Sequence, residues 1–151
     1  ALQSLGLSIQ IQTFSSSTRT AQEAADAIGT PLGSIAKSIV FRIVDQIIVV
    51  ITAGDHRVSD RKLATLFDVS RKKIKIASAE QCIKIVGYAP GGVPPLGHRT
   101  KVPIYIDQTL ARFNIVYGAA GSPYTIFPIE FKTLVKITEG IVADVASPIE
   151  S

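Results

Sequence analysis

Alternation of apolar and polar residues predicts the strands of this chain. Residues 8–14, SIQIQTF, alternate with the period of two that marks a half-buried strand, and the first strand is expected over 7–14. Residues 35–53 are rich in β-branched side chains and predict two strands joined by a tight hairpin at Asp45 and Gln46, the second ending at Gly54. Further strands are predicted within 71–77, 102–107, 114–119, 124–129 and 141–146.

Capping signals predict the helices between these strands. Thr20 with Glu23 has the form of a capping box and opens a helix that Gly29 is placed to end. Ser59 is expected to cap a short helix through Phe67. A second capping box, Ser78 with Gln81, opens the helix that contains Cys82, and a last helix is expected from Pro128 or Ile129 to Ile137. Strands and helices mix without a regular βαβ rhythm, so the pattern favours an α+β fold with a curved, mixed or mostly antiparallel sheet.

Length and composition indicate one globular domain over residues 1–151. Apolar residues make up 46% of the chain and charged residues 19%, which suits a packed core. The longest aliphatic run, Ile47–Ile51, is far shorter than a membrane span, and no signal peptide is visible. Because Cys82 is the only cysteine, no internal disulfide can form, and a reducing, cytoplasmic setting is expected.

The net charge of +4 is unevenly distributed. Two acids, Asp60 and Asp68, accompany a cluster of basic residues that comprises Arg57, Arg61, Lys62, Arg71, Lys72, Lys73 and Lys75. A basic face of this kind attracts polyanions through phosphate contacts and counterion release. An ordinary solvated surface remains the alternative.

Most familiar catalytic motifs are missing from the sequence. It contains no HExxH, CxxC, GK[ST] or GxSxG pattern, so no metal site and no cofactor is predicted. Two features stand out. Lys37 interrupts an apolar strand and is either an edge lysine or a cation held in a pocket for a phosphate or an oxyanion. Residues 87–98, GYAPGGVPPLGH, form either a surface loop or a rigid wall with narrow approaches.

A set of motifs resembles one known family. The segments are AKSIVF, ITAGDHRVSDRKLATLF, ASAEQCIKIVGYAPGGVPPLGH, VPIYID and YGAAGSPYTI, in that order. They are similar to the YbaK/EbsC family, the freestanding relatives of the prolyl-tRNA synthetase editing domain, from about Thr20 to Phe131. The resemblance implies a compact α+β domain with a mixed, barrel-like sheet flanked by helices. It also implies an aminoacyl-tRNA deacylase that clears mischarged tRNA in trans, typically tRNA for proline carrying alanine, cysteine or another small residue.

The resemblance also implies the site residues. Lys37 corresponds to the essential lysine of the family, and Ser38 takes the next position. The remaining candidates belong to two loops that border the aminoacyl pocket: Gly91, Gly92, Val93, Pro94, Pro95, Gly97 and His98 in the first, and Gly118, Ala119, Ala120 and Gly121 in the second. The family's chemistry is substrate-assisted, with a ribose hydroxyl or a cysteinyl thiol of the substrate taking part.

Three further side chains are weighed separately. His98 has a pKa suited to a general base, but variation among relatives argues against a universal catalytic duty. Cys82 is expected in the packed core rather than as a nucleophile. His56, beside Asp55, is expected to touch tRNA or solvent rather than substrate.

Two other functions remain open at the level of the sequence. One is a noncatalytic tRNA-binding or synthetase-associated module, and the other is a hydrolase of different small esters or amides. The expected partners are the acceptor end of a mischarged tRNA and, for selectivity, prolyl-tRNA synthetase or an elongation factor, with no membrane. The amino acid removed depends on pocket volume, which Phe14, Ile39, Val93 and Leu96 can each set. The tRNA selected and the oligomeric state are not determined by the sequence.

Overall fold

The structure is a computed structural model that describes residues 12–13, 21–90, 93–95, 97–120 and 125–149. The four α-helices are α1 (Ala21–Ile28), α2 (Asp60–Phe67), α3 (Ala79–Val86) and α4 (Phe131–Thr138). The strands are β1 (Gln12–Thr13), β2 (Ile35–Ile43), β3 (Gln46–Ala53), β4 (His56–Val58), β5 (Ile74–Ile76), β6 (Ile104–Asp107), β7 (Ile115–Ala119), β8 (Thr125–Glu130), β9 (Ile141–Ala143) and β10 (Ala146–Pro148). Short 3₁₀ turns occupy Leu32–Ser34, Arg71–Lys73 and Gln108–Arg112.

The main sheet mixes parallel and antiparallel pairs. Its strands run in the order β1-β8-β7-β2-β3-β6-β9, with β5 paired to β2, while β4 and β10 form a separate ribbon. The pairs β2–β7, β3–β6 and β6–β9 are parallel and the others are antiparallel. This confirms the predicted α+β class. Among the described strands β1 and β9, at the two ends of the sheet, do not pair with each other, so the described sheet does not close into a barrel.

Strand β2 has an outer edge that two other strands share. Along its inner edge it pairs with β3 from Ala36 to Ile43. On the opposite edge β7 pairs only with Ile35 and Ala36, and β5 pairs only with residues 41–43. Because β7 and β5 separate between these two contacts, the sheet forks, and no described strand covers the outer edge of β2 from Lys37 to Val40.

Alternation along β3 divides the core between the two faces of the sheet. Val49 and Ile51 belong to a cluster that includes Val86 of α3 and Leu134 of α4. Ile48 and Val50 belong to a second cluster with residues of α2, among them Leu63. Both sets are fully buried, because β3 lies inside the sheet with helices on either side. A third cluster seats α1 against the start of β2 and against β8.

Several sequence predictions are confirmed at the level of single elements. Ser59 caps α2 by accepting a hydrogen bond from the Lys62 amide. Ser78 and Gln81 form the predicted capping box of α3. The candidate strands at 102–107, 114–119 and 124–129 correspond to β6, β7 and β8, and β5 lies within 71–77. The predicted cap Thr20 lies outside the described residues, as does most of the first predicted strand.

Three predicted boundaries are wrong. The hairpin turns at Val44 and Asp45, since Gln46 already pairs with Ile43, and Val44 adopts a positive φ of 57° that its side chain does not favour. The last helix begins at Phe131 rather than at Pro128 or Ile129, because β8 continues pairing with β7 through Glu130. Residues 141–146 contain β9 and the start of β10 rather than one closing strand.

An ion pair between Asp55 and Arg112 packs against the loop that leads into β2. Arg112 donates two hydrogen bonds to the Asp55 carboxylate, at 2.8 and 3.0 Å, and His56 Nδ1 lies 2.7 Å from Asp55 Oδ1. A Cβ at Gly33 would lie 2.8 Å from Asp55 Oδ2, so this loop packs directly on the ion pair. The His56 side chain is only 11% exposed and does not line the cavity described below, so it offers little surface to solvent, and its expected contact with tRNA stays a prediction.

None of the helices in the described ranges is long and apolar enough to cross a membrane.

The ion pair predicts a pH-dependent contribution to stability. The Arg112 guanidinium, with a smaller effect from His56, lowers the pKa of Asp55 from 3.8 to about 2. Because this pKa is lower in the folded state, the contribution is present above about pH 4 and is lost as the pH falls towards 2. Asp55 is partly exposed, so we expect about 1 kcal/mol rather than the full value of the shift. Denaturant unfolding of wild type and Asp55→Asn between pH 2 and 7 measures it.

The two proteins should differ in free energy of unfolding at pH 7 and converge near pH 2. The exposed α1 residue Asp26 provides the control variant Asp26→Asn. A constant difference between wild type and Asp55→Asn across this pH range would contradict the assignment.

Candidate functional site

A cavity of ≈ 370 Å³ occupies the fork of the sheet. Its walls come from β2, from the end of β5 and the residue after it, from β7, from the start of β8, and from α1, α3 and the glycine-proline loop. The lining residues are Ala21, Ala24, Ile35, Ala36, Lys37, Ser38, Ile39, Val40, Ile76, Ala77, Cys82, Pro90, Val93, Tyr117, Gly118, Ala119, Thr125 and Ile126. A concave, mostly apolar space of this size suits a small ligand.

The open edge of β2 gives this cavity backbone hydrogen-bonding groups. Val40 accepts a hydrogen bond from the Ala77 amide on the β5 side, whereas Ile35 accepts one from Gly54 on the opposite side. Backbone groups in a strand alternate between its two edges, so those of Ser38 point to the same edge as those of Val40. Ser38 therefore directs an N–H and a C=O into the fork, where no described strand pairs with them.

Lys37 supplies the charge of the cavity. It lies on β2 opposite Thr52 of β3, and its side chain is exposed. Of the described lining residues, it alone carries a formal charge at neutral pH. Within the described part of the chain, Lys37 Nζ forms no hydrogen bond and no ion pair. The ammonium is therefore available to a phosphate, a carboxylate or a developing oxyanion.

Small and branched residues form the remaining walls. Ala21 and Ala24 of α1 are buried against the mouth of the fork, and Val93 is 3% exposed and packs into the core beneath it. Ile39, which the sequence named as a determinant of pocket volume, also lines the cavity. Phe14 and Leu96, named with it, lie outside the described residues.

The glycine-proline loop contacts β7 directly. Val93, Pro94 and Pro95 are buried, and a Cβ at Gly118 would lie 3.6 Å from Pro95 Cδ. A Cβ at this position would make an ordinary van der Waals contact with the proline ring. Val93 faces the cavity, whereas Pro94 and Pro95 do not line it. Gly91 and Gly92 of the same predicted loop are outside the described ranges.

The far end of the loop is held by hydrogen bonds. Gly97 has a φ of +80°, a conformation that glycine adopts readily. His98 Nε2 lies 2.7 Å from the Pro94 carbonyl oxygen, which fixes the tautomer that donates from Nε2. Burial lowers the pKa of His98, so the ring is neutral at neutral pH. Neither Gly97 nor His98 lines the cavity. The described contact of the His98 ring is with the backbone of the loop, not with the space inside the cavity.

The second predicted loop enters the site through β7. Gly118 and Ala119 line the cavity beside Tyr117. Ala120 does not line it, and its amide donates a hydrogen bond to the Thr125 carbonyl where β7 and β8 separate. The remaining candidate of this loop, Gly121, is outside the described residues.

Cys82 is both core and cavity wall. The side chain is 2% exposed within the main cluster, and its Sγ donates to the Tyr88 carbonyl at 3.1 Å. Burial raises the pKa of the thiol. The prediction that Cys82 packs in the core is confirmed, but sequence reasoning did not assign it, Ala24 or Tyr117 to the cavity. Helical and strand periodicity marked their faces as apolar without revealing that an open space adjoins them.

The described ranges contain no candidate metal site. They contain no group of three or more His, Cys, Asp or Glu side chains arranged to hold a metal ion.

Comparison with known proteins gives this site a family. A sequence profile of the aminoacyl-tRNA editing domain matches residues 15–137. The chain belongs to the aminoacyl-tRNA editing domain family, and the family relationship predicted from the motifs is confirmed. The fork, with Lys37 at its open edge, is the cavity of a protein of this class.

Individual relatives agree with this family. The uncharacterized protein YwhH of Bacillus subtilis (strain 168) is 34% identical over 113 residues, which cover 74% of this chain and 70% of YwhH. The proline–tRNA ligase of Staphylococcus aureus (strain Newman) is 30% identical over 112 residues, which cover 74% of this chain but only 19% of the ligase. The crystal structure of a candidate trans-editing enzyme for prolyl tRNA synthetase superimposes with a TM-score of 0.90 at 34% identity, covering 97% of this chain and 92% of that one.

The environment of Cys82 predicts slow reaction with thiol reagents. Because the thiol is buried and its pKa is raised, we expect the native protein to react with a disulfide reagent at least about a hundred times more slowly than the chain in denaturant. Stopped-flow absorbance in both conditions gives the two rates. Rapid, stoichiometric labelling of the native protein would instead indicate an accessible thiolate.

Proposed function

We propose that this protein hydrolyses the ester bond between a small, wrongly attached amino acid and the 3′ end of a tRNA, acting in trans. The observation that carries the proposal is the cation Lys37, which has no hydrogen bond or ion pair within the described residues and lies at the open edge of a strand that lines a mostly apolar cavity of ≈ 370 Å³. Family membership supports the substrate class. The proposed setting is the cytoplasm, where charged tRNA is used.

The proposed hydrolysis passes through a tetrahedral intermediate at the ester carbonyl. Water adds to the ester carbonyl, an oxyanion develops, and the bond from the carbonyl carbon to the ribose oxygen breaks to give the free amino acid and the tRNA 3′ hydroxyl. The Lys37 ammonium neutralises the terminal phosphate or the oxyanion, and the Ser38 N–H lies on the edge from which it can donate. The protein's contribution is positioning and electrostatic stabilisation rather than a protein nucleophile.

The available side chains favour help from the substrate in activating water. His98 is engaged with the Pro94 carbonyl outside the cavity lining. Burial raises the pKa of the Cys82 thiol, which keeps it protonated and a poor nucleophile. The described residues that line the cavity include no histidine and no carboxylate, and the free ribose hydroxyl of the terminal adenosine lies next to the ester. We assign it the proton transfer that no described side chain lining the cavity is suited to perform.

The amino acid is proposed to be small and the tRNA to be that for proline. A synthetase pocket that holds proline rejects smaller residues by only ~1–3 kcal/mol per methylene, which creates the need for a second hydrolytic site. Val93, Ile39 and the alanines of α1 line the cavity, and we assign Val93 and Ile39 the role of limiting the size of the side chain that enters. The tRNA assignment rests on similarity to proline–tRNA ligases and to the candidate trans-editing enzyme.

Removing the Lys37 charge should abolish hydrolysis. We expect Lys37→Met, which keeps an unbranched chain of similar length, to lower kcat/KM by about a hundredfold or more while the melting temperature changes little. Deacylation of tRNA for proline charged separately with alanine, cysteine, serine and proline measures it. Lys132→Met, at an exposed position on α4, is the matched control. Full activity of Lys37→Met would reject the site, and binding of charged tRNA by wild type without hydrolysis would favour a noncatalytic module.

Enlarging the cavity at Val93 should broaden the amino acids accepted. Val93→Ala removes two methyl groups from the wall, so we expect the preference between a small residue and one larger by a methylene to shift about tenfold towards the larger. The buried position predicts a stability cost of about 1–3 kcal/mol. Competition between two charged tRNAs measures the preference. The same shift in an Ile85→Val variant, altered in the core but not at the cavity, would show that the effect is not local.

A further inference from the structure

A second concave surface adjoins the cavity. It is a shallow groove of ≈ 490 Å³ bounded by the β2–β3 turn, the segment that contains β5, and the start of α3. The residues that line this basic groove are Arg42, Val44, Asp45, Lys72, Lys73, Lys75, Ile76, Ser78 and Gln81. Four of them are cations and one is an acid.

The cations of the basic groove lack partners of their own. In the described part of the chain, Lys72, Lys73 and Lys75 form no ion pair, and Arg42 donates from Nε to the Val44 carbonyl at 2.9 Å. Two other members of the predicted basic face are already engaged. Lys62 pairs with Asp144 at 2.8 Å, and Arg71 pairs with Asp60 at 3.2 Å. The exposed Arg57 and Arg61 lie outside the groove, which brings four cations of the chain together on one concave surface.

The strand register places two of these cations side by side. Arg42 of β2 is directly opposite Lys75 of β5. Like charges at facing positions of two strands are destabilising by some tenths of a kcal/mol. An arrangement that costs stability, and in which neither cation forms an ion pair within the described residues, fits a surface that binds an external anion.

Ile76 links the groove to the cavity. It lines both spaces and is 70% exposed, although it is a large apolar residue in a basic surface. Lys37 and Arg42 are five residues apart on one strand, so their Cα atoms are about 16 Å apart and their side chains leave opposite faces of the sheet. A stacked nucleic-acid strand rises ~3.4 Å per nucleotide, so about five nucleotides span this distance.

We propose that the basic groove binds phosphates of the tRNA acceptor strand a few nucleotides before the aminoacylated 3′ end, with Ile76 contacting the nucleotides that turn into the cavity. This inference rests on the proposed function for the direction of the strand. The binding itself depends only on the charge and shape of the groove. Phosphate contacts of this type add affinity for the tRNA without discriminating between attached amino acids.

The test compares two variants that lose the same charge. The first is Lys72→Ala/Lys73→Ala/Lys75→Ala in the groove. The second, as a control, is Lys101→Ala/Lys132→Ala/Lys136→Ala, at exposed positions that line neither space. Fluorescence anisotropy with uncharged tRNA for proline over a range of salt concentrations gives the affinity and its salt dependence. Thermal unfolding verifies that both variants are folded.

We expect the groove variant to bind tRNA about tenfold or more weakly. The slope of log affinity against log salt concentration should fall by about two to three, close to one for each phosphate that the variant no longer neutralises. The control variant should keep most of the affinity. Asp45→Asn, which removes the acid of the groove, should change affinity in the opposite direction, tightening binding about twofold. Equal affinity and equal salt slope in the two triple variants would overturn the proposal.

Hydrolysis of two substrates separates this proposal from the function on which it rests. The groove variant should lose kcat/KM on alanine-charged tRNA but keep it on an alanine-charged CCA trinucleotide, which is too short to reach the groove. A proportional loss on both substrates would overturn the groove as an acceptor-strand site. If wild type hydrolyses neither substrate, the proposed function fails, while weaker tRNA binding by the groove variant still supports the groove.

Discussion

The fork of the sheet at the outer edge of β2 is the constraint on which the rest of the site depends. A strand has two edges, and β3 occupies one of them along almost the whole of β2. The other edge begins against β7 and ends against β5, and these two strands cannot both cover the residues between. The stretch from Lys37 to Val40, which no described strand covers, provides one wall of the cavity and its cation, and Ser38 provides backbone groups that no described strand pairs with. The glycine-proline loop and α1 enclose the space that lies between the diverging strands β5 and β7.

The sequence predicted the local elements better than it predicted the fork. The β2–β3 hairpin, both serine caps and the strands at 102–107 and 114–119 follow from alternation, β-branched residues and capping signals, which act between neighbours in the chain. The parallel contact of Ile35 and Ala36 with Tyr117 and Gly118 joins distant segments, and no local signal records it. Boundaries failed where long-range pairing prevailed. Pro128 and Ile129 stay in β8 because β7 pairs with them and the Ile129 side chain is buried.

The residues of the candidate site also divide into those that a local signal in the sequence identified and those that it did not. Lys37 stood out because a long cation inside an apolar strand is unusual, and the resemblance added Ser38, the glycine-proline loop and residues 118–121. The structure divides these residues into those that line the cavity and those that do not. Val93 and Gly118 face the cavity, whereas His98 lies outside its lining and holds the Pro94 carbonyl. Apolar periodicity identified Cys82 and Ala24 as buried, but it cannot distinguish a side chain packed on protein from one beside an empty space.

In the proposed function, the distribution of charge separates recognition of the amino acid from recognition of the nucleic acid. Inside the fork one cation faces mostly apolar walls, so amino acids are discriminated by volume, a contribution that salt screens little. Outside it, four cations line an open groove where attraction to phosphate is strong at low salt and insensitive to the attached residue. The two surfaces share a single described lining residue, Ile76. Most substitutions in one surface therefore leave the lining of the other unchanged. Under the two proposals, a few wall residues set which amino acid is removed, and changes at those residues leave binding of the acceptor strand the same.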